Sequence, residues 1–285
     1  LTLINGFEWN EASSFDDSLN NGLITLLAFD RGGQPTPIGT AFVITDSGDA
    51  LIAVTVAHNF DGIHRLQVDN SKYHPTALPE FLPDPEPLNL DSSQLIAICF
   101  SNGDVHVGSL GWVCYDRKSD IAVCSIEKNK NDMFSSGVFE LDERIPQVGD
   151  EVALIGYAKM QSDGENINAD TKSFSLARNL LLRRGRITNI YPDGHLLCRG
   201  ACVETSIPVY PGMSGSPVML MMAEGEPMKP FGVVSSDPKD EDTIKLDRST
   251  AGSSIVALIK PQHVQHDGAE KIRIDLNCAT IRIKE

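Results

Sequence analysis

No apolar run in the 285 residues approaches the roughly 20 that cross a bilayer as a helix. Basic residues are scarce, 24 against 39 acidic ones, and the formal net charge of -15 argues against binding a phosphate backbone or an anionic membrane surface. Nucleic-acid and membrane partners are therefore not expected. Helical periodicity is also scarce, and there is neither a repeat of fixed short period nor a low-complexity tract. What remains is a series of short strand-like segments separated by Gly, Pro and Asp clusters, which suits antiparallel barrels. The chain begins at Leu1 without a methionine, leaving room for a removed leader or a longer parent protein.

Cysteine is limited to positions 99, 114, 124, 198, 202 and 278, mostly inside apolar strand-like segments such as Ile96-Ala97-Ile98-Cys99-Phe100. Such residues read as buried free thiols, which point to a cytoplasmic setting, or to a periplasmic or secreted one if a leader was removed. His195, Cys198 and Cys202 invite a zinc reading. On one continuous strand, however, the two cysteines would stand about 13 Å apart, too far for one tetrahedral ion or one disulfide. Neither a metal nor any other cofactor is expected, unless Gly200 breaks that strand.

What is present is chemically pointed. Pro211-Gly212-Met213-Ser214-Gly215-Ser216-Pro217 sets one serine in a tight, glycine-flanked turn. Glycine at 212 permits a backbone that a Cβ would forbid, so the amides of Gly212 and Ser214 can converge on a developing oxyanion. A serine nucleophile needs a base, usually a histidine oriented by a carboxylate. The apolar run Leu51 to Ala57 reads as a buried strand that delivers His58 at its end, before the turn-like Asn59, Asp61 and Gly62. Lys118-Ser119-Asp120 passes a carboxylate into the apolar run Ile121-Ala122-Val123, with Asp116 close by.

In this order, histidine then aspartate then serine, the chain resembles the trypsin-like (chymotrypsin-fold) serine peptidases, and within them the bacterial and HtrA-type branch. The resemblance rests on Ile38-Gly39-Thr40-Ala41-Phe42-Val43-Ile44, Thr55-Val56-Ala57-His58, Asp120-Ile121-Ala122-Val123, the serine turn and Phe231-Gly232-Val233-Val234-Ser235-Ser236, and spans about residues 23 to 262. It implies an all-β fold of two antiparallel six-stranded barrels with the site in the cleft between them, and a serine endopeptidase acting on protein or peptide substrates. The implied catalytic residues are His58, Asp120 and Ser214, with Gly212 and Ser214 as oxyanion donors. Pro208, Val209, Val234, Ser235, Ser236 and Asp237 would line the substrate pocket, and Ser235 would support Asp120. The implied pocket floor, six residues before the serine, is Pro208, between Ile207 and Val209, so small or medium apolar side chains are expected there. Asp237 is the residue that could place a carboxylate at the rim.

Three departures from the family pattern carry information. Met213 stands where zymogen-activated members have an aspartate, so a switch driven by a cut N-terminus should be absent. Ile38 and Asn59 occupy the positions of the disulfide that staples the histidine loop. Ser216 replaces a glycine of the serine turn. Arg183, Arg184 and Arg186 form a basic cluster that reads as a solvated hairpin face.

Along the chain, residues 1–20 read as an N-terminal extension and 21–126 as a first barrel carrying His58 and Asp120. Residues 127–145 form a connector, 146–262 a second barrel carrying Ser214, and 263–285 a C-terminal extension. The tract Pro79 to Pro87 is too proline-rich for a ladder and reads as a surface excursion. Gln161 to Thr171 reads as a long polar loop, and the alternation Lys271 to Leu276 as a strand added after the second barrel. Two rival classes are set against the peptidase. An α/β-hydrolase needs a strand-to-helix elbow, which Ser216 and the strand-like Pro217-Val218-Met219-Leu220 contradict. The other is a protease fold used as a binding module, or a peptidase inactive at rest until a regulatory protein partner orders its loops.

Overall fold

The computed structural model describes residues 2–4, 7–11, 20–29, 34–60, 90–91, 95–101, 104–130, 134–168, 171–195, 198–221, 227, 229–236, 253–260, 265–267, 271–273 and 279–284. Two short strands, β1 (Thr2–Ile4) and β2 (Phe7–Glu11), come first. They are followed by β3 (Leu23–Phe29), β4 (Pro35–Asp46), β5 (Ala50–Thr55), β6 (Leu90–Asp91), β7 (Leu95–Ser101), β8 (Asp104–Asp116) and β9 (Ile121–Lys128). A second series comprises β10 (Glu151–Asn168), β11 (Thr171–Tyr191), β12 (Cys202–Thr205), β13 (Pro217–Leu220), β14 (Pro230–Ser236) and β15 (Ser254–Leu258). The short β16 (Gln265–Asp267), β17 (Lys271–Arg273) and β18 (Ala279–Lys284) end the chain's described elements.

In the first series the order β8-β7-β3-β4-β5-β9 closes on itself through a β8–β9 pairing, and in the second β11-β10-β13-β14-β15-β12 closes through β11–β12. All of these pairings are antiparallel. Each series is a closed six-stranded barrel, so the fold is the expected chymotrypsin-like pair. Helix among the described residues is limited to turns at 20–21 and 58–60.

The uninterrupted apolar run at 51–57 has a simple cause. Alternate side chains of a strand face opposite ways, and here both faces are dry. Leu51, Ala53 and Ala57 fill the first barrel. Ile52, Val54 and Val56 point to the second barrel, where they join Ile155, Tyr157, Met219, Val233, Ile255 and Ala257. The same division splits β14 and β15, whose Val234 and Val256 fill the second barrel while Val233, Ile255 and Ala257 face the first. Three apolar clusters, one per barrel and one between them, hold the halves in one relative position.

The structure departs from the sequence reading in several places. The described part of Gln161 to Thr171 is not a loop: residues 161–168 of β10 pair with β11 from Gln161↔Ala177 to Asn168↔Thr171, with one register shift between Glu165 and Asn168. Backbone pairing within a hairpin satisfies its amides and carbonyls without a core, so a polar sequence is no bar to the ladder. The hairpin leans on the first barrel, where Ser162 Oγ donates to the Pro35 carbonyl at 2.6 Å. There the Arg178 guanidinium lies 3.5 Å from the Phe100 ring and 3.7 Å from that of Tyr157. Downstream of the second barrel, β17 pairs with β16, whereas β18 returns to the first barrel and pairs with β8 from Ala279↔Tyr115 to Arg282↔Trp112. The Pro79 to Pro87 tract, Asp61, Gly62, Ile274 to Leu276 and Cys278 lie outside the described residues.

After β9 the chain is pinned by a buried charge. Lys128 Nζ donates to Asp46 Oδ1 at 2.7 Å and to the Phe134 carbonyl at 2.6 Å, with its side chain only 1% exposed. Burial alone would raise the Asp46 carboxyl, but hydrogen bonds from Lys128 and from the amides of Ser136 and Gly48 prevail and hold it below its ordinary 3.8. Asp46→Asn leaves the ammonium buried without its counter-charge and should cost about 3 kcal/mol in urea unfolding at neutral pH. A depressed carboxyl stabilises above its unfolded value and stops doing so as pH falls through the folded one. The gap between wild type and variant should therefore be full at neutral pH and shrink as the pH drops below 3.8.

Candidate active site

β5 ends at Thr55, and His58 opens the single turn that follows. The His58 amide donates to Asp120 Oδ1 at 3.0 Å, and its ring Nδ1 lies 2.9 Å from Oδ2 and 3.1 Å from Oδ1. A third donor comes from the other barrel: Ser235 Oγ reaches Asp120 Oδ2 at 2.5 Å. With a carboxylate as acceptor, Nδ1 carries the proton, and Nε2 is the nitrogen that can exchange one with a nucleophile. The Asp120 side chain is 4% exposed and that of His58 31%, so the imidazole is open to a substrate while its partner is shielded.

Local backbone chemistry makes this meeting possible. Asp120 has φ +55°, a left-handed conformation that aspartate tolerates better than most residues. Asp116 is occupied with its own turn, accepting from the Lys118 amide at 2.9 Å and from Ser119 Oγ at 2.8 Å. Opposite β15, β14 slips by one residue between Val234 and Ser236, and Ser235 is the residue left without a partner. Such a bulge re-aims a side chain, here onto Asp120.

Ser214 is brought in through its backbone. Gly212 and Gly215 adopt φ of +94° and +87°, and Thr40 ties the turn down at several points. Its amide donates to the Ser214 carbonyl at 2.8 Å, and its hydroxyl donates to the Gly212 carbonyl at 2.8 Å and accepts from the Tyr157 amide at 3.3 Å. Its carbonyl accepts from Thr55 Oγ1 at 2.7 Å. Asn59 Nδ2 donates to Thr55 Oγ1 at 2.9 Å and to the Ser214 carbonyl at 3.4 Å. Where the family staples its histidine loop with a disulfide, this chain uses a hydrogen-bonded amide. A Cβ on Gly215 would come within 2.0 Å of the Thr40 carbonyl oxygen, so only glycine fits there.

The Ser214 hydroxyl makes no hydrogen bond among the described residues. The amides of Gly212 and Ser214 likewise have no partner among the described residues, as donors awaiting an oxyanion would. Met213 is fully buried among Val209, Leu154 and Val234, so apolar packing anchors the turn where a carboxylate would need a counter-ion. Ser216 is accommodated by Gly156, where a Cβ would lie 1.7 Å from its Oγ.

The residues expected around the pocket divide. Val209 and Val234 belong to the second-barrel core, Ser235 is engaged by Asp120, and Ser236 is half-buried at the end of β14. Pro208 is buried, its carbonyl accepting from Arg183 Nη1. Asp237 lies outside the described residues. Arg183 corrects the reading of the basic cluster as one solvated face. Arg184 and Arg186 are exposed, but Arg183, opposite Leu154 on β10, points inward and is 3% exposed. Its guanidinium lies 4.4 Å from the Tyr210 ring centroid. Burial lowers it to about 10, against an opposing effect of Tyr210, so it stays a cation at neutral pH.

The five described cysteines are free thiols. Burial pushes Cys99 and Cys124 up to about 12. Cys198 and Cys202 are not on one strand: the chain bends at 200–201 and β12 begins at Cys202, which removes the basis of the 13 Å separation. Cys198 Sγ donates to the carbonyls of Ser119 and Gly200 at 3.4 and 3.5 Å; the neighbouring Cys202 thiol and burial raise Cys198, while the influence of Cys198 lowers Cys202. Among the described residues no three His, Cys, Asp or Glu side chains gather as a metal would require.

The roles of Thr40, Thr55, Asn59 and Arg183 carry no signal in the sequence. Thr40 and Thr55 sit inside recognised motifs as ordinary β-formers, and no feature of the sequence marks them. Thr40→Val keeps the shape of the side chain but leaves the Tyr157 amide and the Gly212 carbonyl without their partner. It should cost about 2 kcal/mol of stability in urea unfolding and lower turnover as the serine turn loosens.

The family model described as a trypsin-like peptidase domain matches residues 39–226. No curated protein matches the chain. Among solved structures, that of Deg5 aligns over 84% of this chain and 85% of its own at 14% identity, with a TM-score of 0.47. The apo MamO protease domain from Magnetospirillum magneticum aligns over 87% and 98% at 12% identity, with a TM-score of 0.48. The family match takes in His58, Asp120 and Ser214 and extends over more than half of the sequence, so this chain belongs to the trypsin-like peptidase domain family.

Proposed function

We propose that the chain is a serine endopeptidase that cleaves protein or peptide substrates through an acyl-enzyme. The observation that carries this reading is the chain of hydrogen bonds from Ser235 through the buried Asp120 carboxylate to His58 Nδ1. A buried carboxylate is costly unless fully met by donors, and orienting an imidazole is the use to which this one is put. His58 takes the proton of Ser214 as its oxygen attacks the peptide carbonyl, then returns it to the leaving amine. Asp120 holds the imidazole tautomer and stabilises the imidazolium. The amides of Gly212 and Ser214 stabilise the tetrahedral oxyanion, a donor being worth on the order of 3 kcal/mol. Free thiols favour a reducing compartment as the working location.

A fluorophosphonate probe, which reacts only with an activated serine, should label the wild type at Ser214. Ser214→Ala should keep the fold, lose the label and lower turnover by about 10⁶-fold. Peptidase activity persisting in that variant would refute the assignment, and an inert binding module would leave the wild type unlabelled.

Specificity follows from the pocket floor. Pro208 offers an apolar surface with the Arg183 cation behind it. A substrate Lys or Arg side chain would be desolvated beside a like charge, so small or medium apolar side chains should be favoured. Profiling on a peptide library should show cleavage after Lys or Arg on the order of 100-fold below the best apolar residues. Dominant cutting after Lys or Arg would overturn the apolar floor and point to Asp237.

A further inference from the structure

Two described residues other than glycine have a left-handed backbone. One is Asp120, whose use is clear. The other is Lys159, at φ +53°, an exposed residue on β10. It sits in a bulge: the β10–β11 register runs Ala158↔Asn179 and resumes at Gln161↔Ala177, so β10 carries one residue more than its partner. For an L-residue with a long side chain this conformation is disfavoured, and such residues persist where the surroundings impose them, often at functional sites.

What the bulge accomplishes can be followed atom by atom. The Lys159 amide does not pair within the ladder; it donates to the carbonyl of Pro211 at 3.0 Å. That carbonyl belongs to the peptide whose other end is the Gly212 N–H. In a trans peptide the two point in opposite directions, so holding the Pro211 oxygen against β10 turns the Gly212 N–H away from β10. Half a turn of this peptide would put a carbonyl oxygen where the donor stands, and a developing oxyanion would then meet an acceptor. Neighbouring contacts reinforce the orientation. A Cβ on Gly212 would lie 3.0 Å from Met160 Cε and 3.2 Å from the Tyr157 carbonyl oxygen, so the bulge is also the floor under Gly212. The Lys159 ammonium lies 5.2 Å from the Tyr210 ring centroid, on the same loop.

We propose that Lys159 is a positioning residue for transition-state stabilisation, its left-handed backbone in the β10 bulge holding the Pro211–Gly212 peptide with the donor side toward the oxyanion. This rests on the peptidase reading above and deepens it. The residue acts through its main chain, so the lysine side chain is not the essential part. The assembled state of the oxyanion site is thus set by the β10–β11 hairpin, an element outside both the catalytic motifs and the serine turn.

Backbone chemistry supplies the test. Lys159→Pro removes the amide hydrogen and cannot adopt the positive φ. It should lower kcat on a peptide substrate by about 10²–10³-fold, the loss seen when one oxyanion donor is removed, with KM changed less than about threefold and weaker binding of a peptide boronate that mimics the tetrahedral intermediate. Lys159→Gly is the conservative exchange, keeping the amide and adopting the left-handed backbone freely, and should restore kcat to within about threefold of wild type. Lys159→Val keeps the amide but resists positive φ through its β-branch, and its kcat should fall at least about tenfold below that of Lys159→Gly. Should Lys159→Pro fail to fold, the comparison of Val with Gly decides alone.

Equal kcat in Val and Gly, or a folded Pro variant as active as wild type, overturns the proposal. So does a Gly variant as impaired as Pro, since the side chain would then be the active part. In these cases fluorophosphonate labelling of wild-type Ser214 leaves the peptidase reading standing. A wild type that is neither labelled nor active sinks both.

Discussion

A carboxylate placed between two apolar barrels must be met by donors from both or it destabilises the interface it occupies. Asp120 satisfies that condition with the amide and ring nitrogen of His58 from the first barrel and the hydroxyl of Ser235 from the second. The carboxylate and its donors each depend on an irregularity: the left-handed backbone at Asp120, the turn that begins at His58 and the bulge at Ser235. The apolar cluster between the barrels includes Val54, Val56 and Ile121 from one side and Val233 and Ile255 from the other. Relative sliding of the barrels would separate the carboxylate from its donors, so barrel packing and the geometry of the site are one constraint.

The serine turn is held by a second network with Thr40 at its centre. Disulfide staples are replaced by short polar side chains that are fully buried, Thr40 and Thr55, together with Asn59 at 4% exposure. Hydrogen bonds of this kind add little net stability each, while leaving one unmade is expensive. The network is therefore better at specifying one arrangement of the serine turn than at raising overall stability. Met213 complements it from below, since its burial in the second-barrel core fixes the turn without any charge pairing.

The β10–β11 hairpin links these parts. Its base belongs to the second barrel, its extension rests on the first through Ser162 and Arg178, and its bulge touches the serine turn. Beside it a groove of about 650 Å³ opens between Pro35, Thr36 and Pro37 of β4 and Gln161, Ser162 and Leu176 of the hairpin.

Much of this was legible in the sequence because its signals are local. Glycine at 212 announces a backbone closed to other residues, the run at 51–57 announces a buried strand, and the order of His58, Asp120 and Ser214 places them on separate elements of a double barrel. The inward turn of Arg183 could not be read, because it and the exposed Arg184 and Arg186 look alike until the pairing with Leu154 sets their faces. The same holds for the β10–β11 hairpin, whose polar residues pair in a ladder, for Cys198 and Cys202, which a bend takes off one strand, and for β18, which crosses back to the first barrel. Residue type and spacing by themselves pointed to the candidate chemistry and to the unusual backbone at Gly212. The partner of each buried polar group was decided only by the tertiary structure, because hydrogen bonds such as Thr40 to Gly212, Lys159 to Pro211 and Ser235 to Asp120 join residues far apart in the chain, and their register depends on bulges that no local pattern encodes.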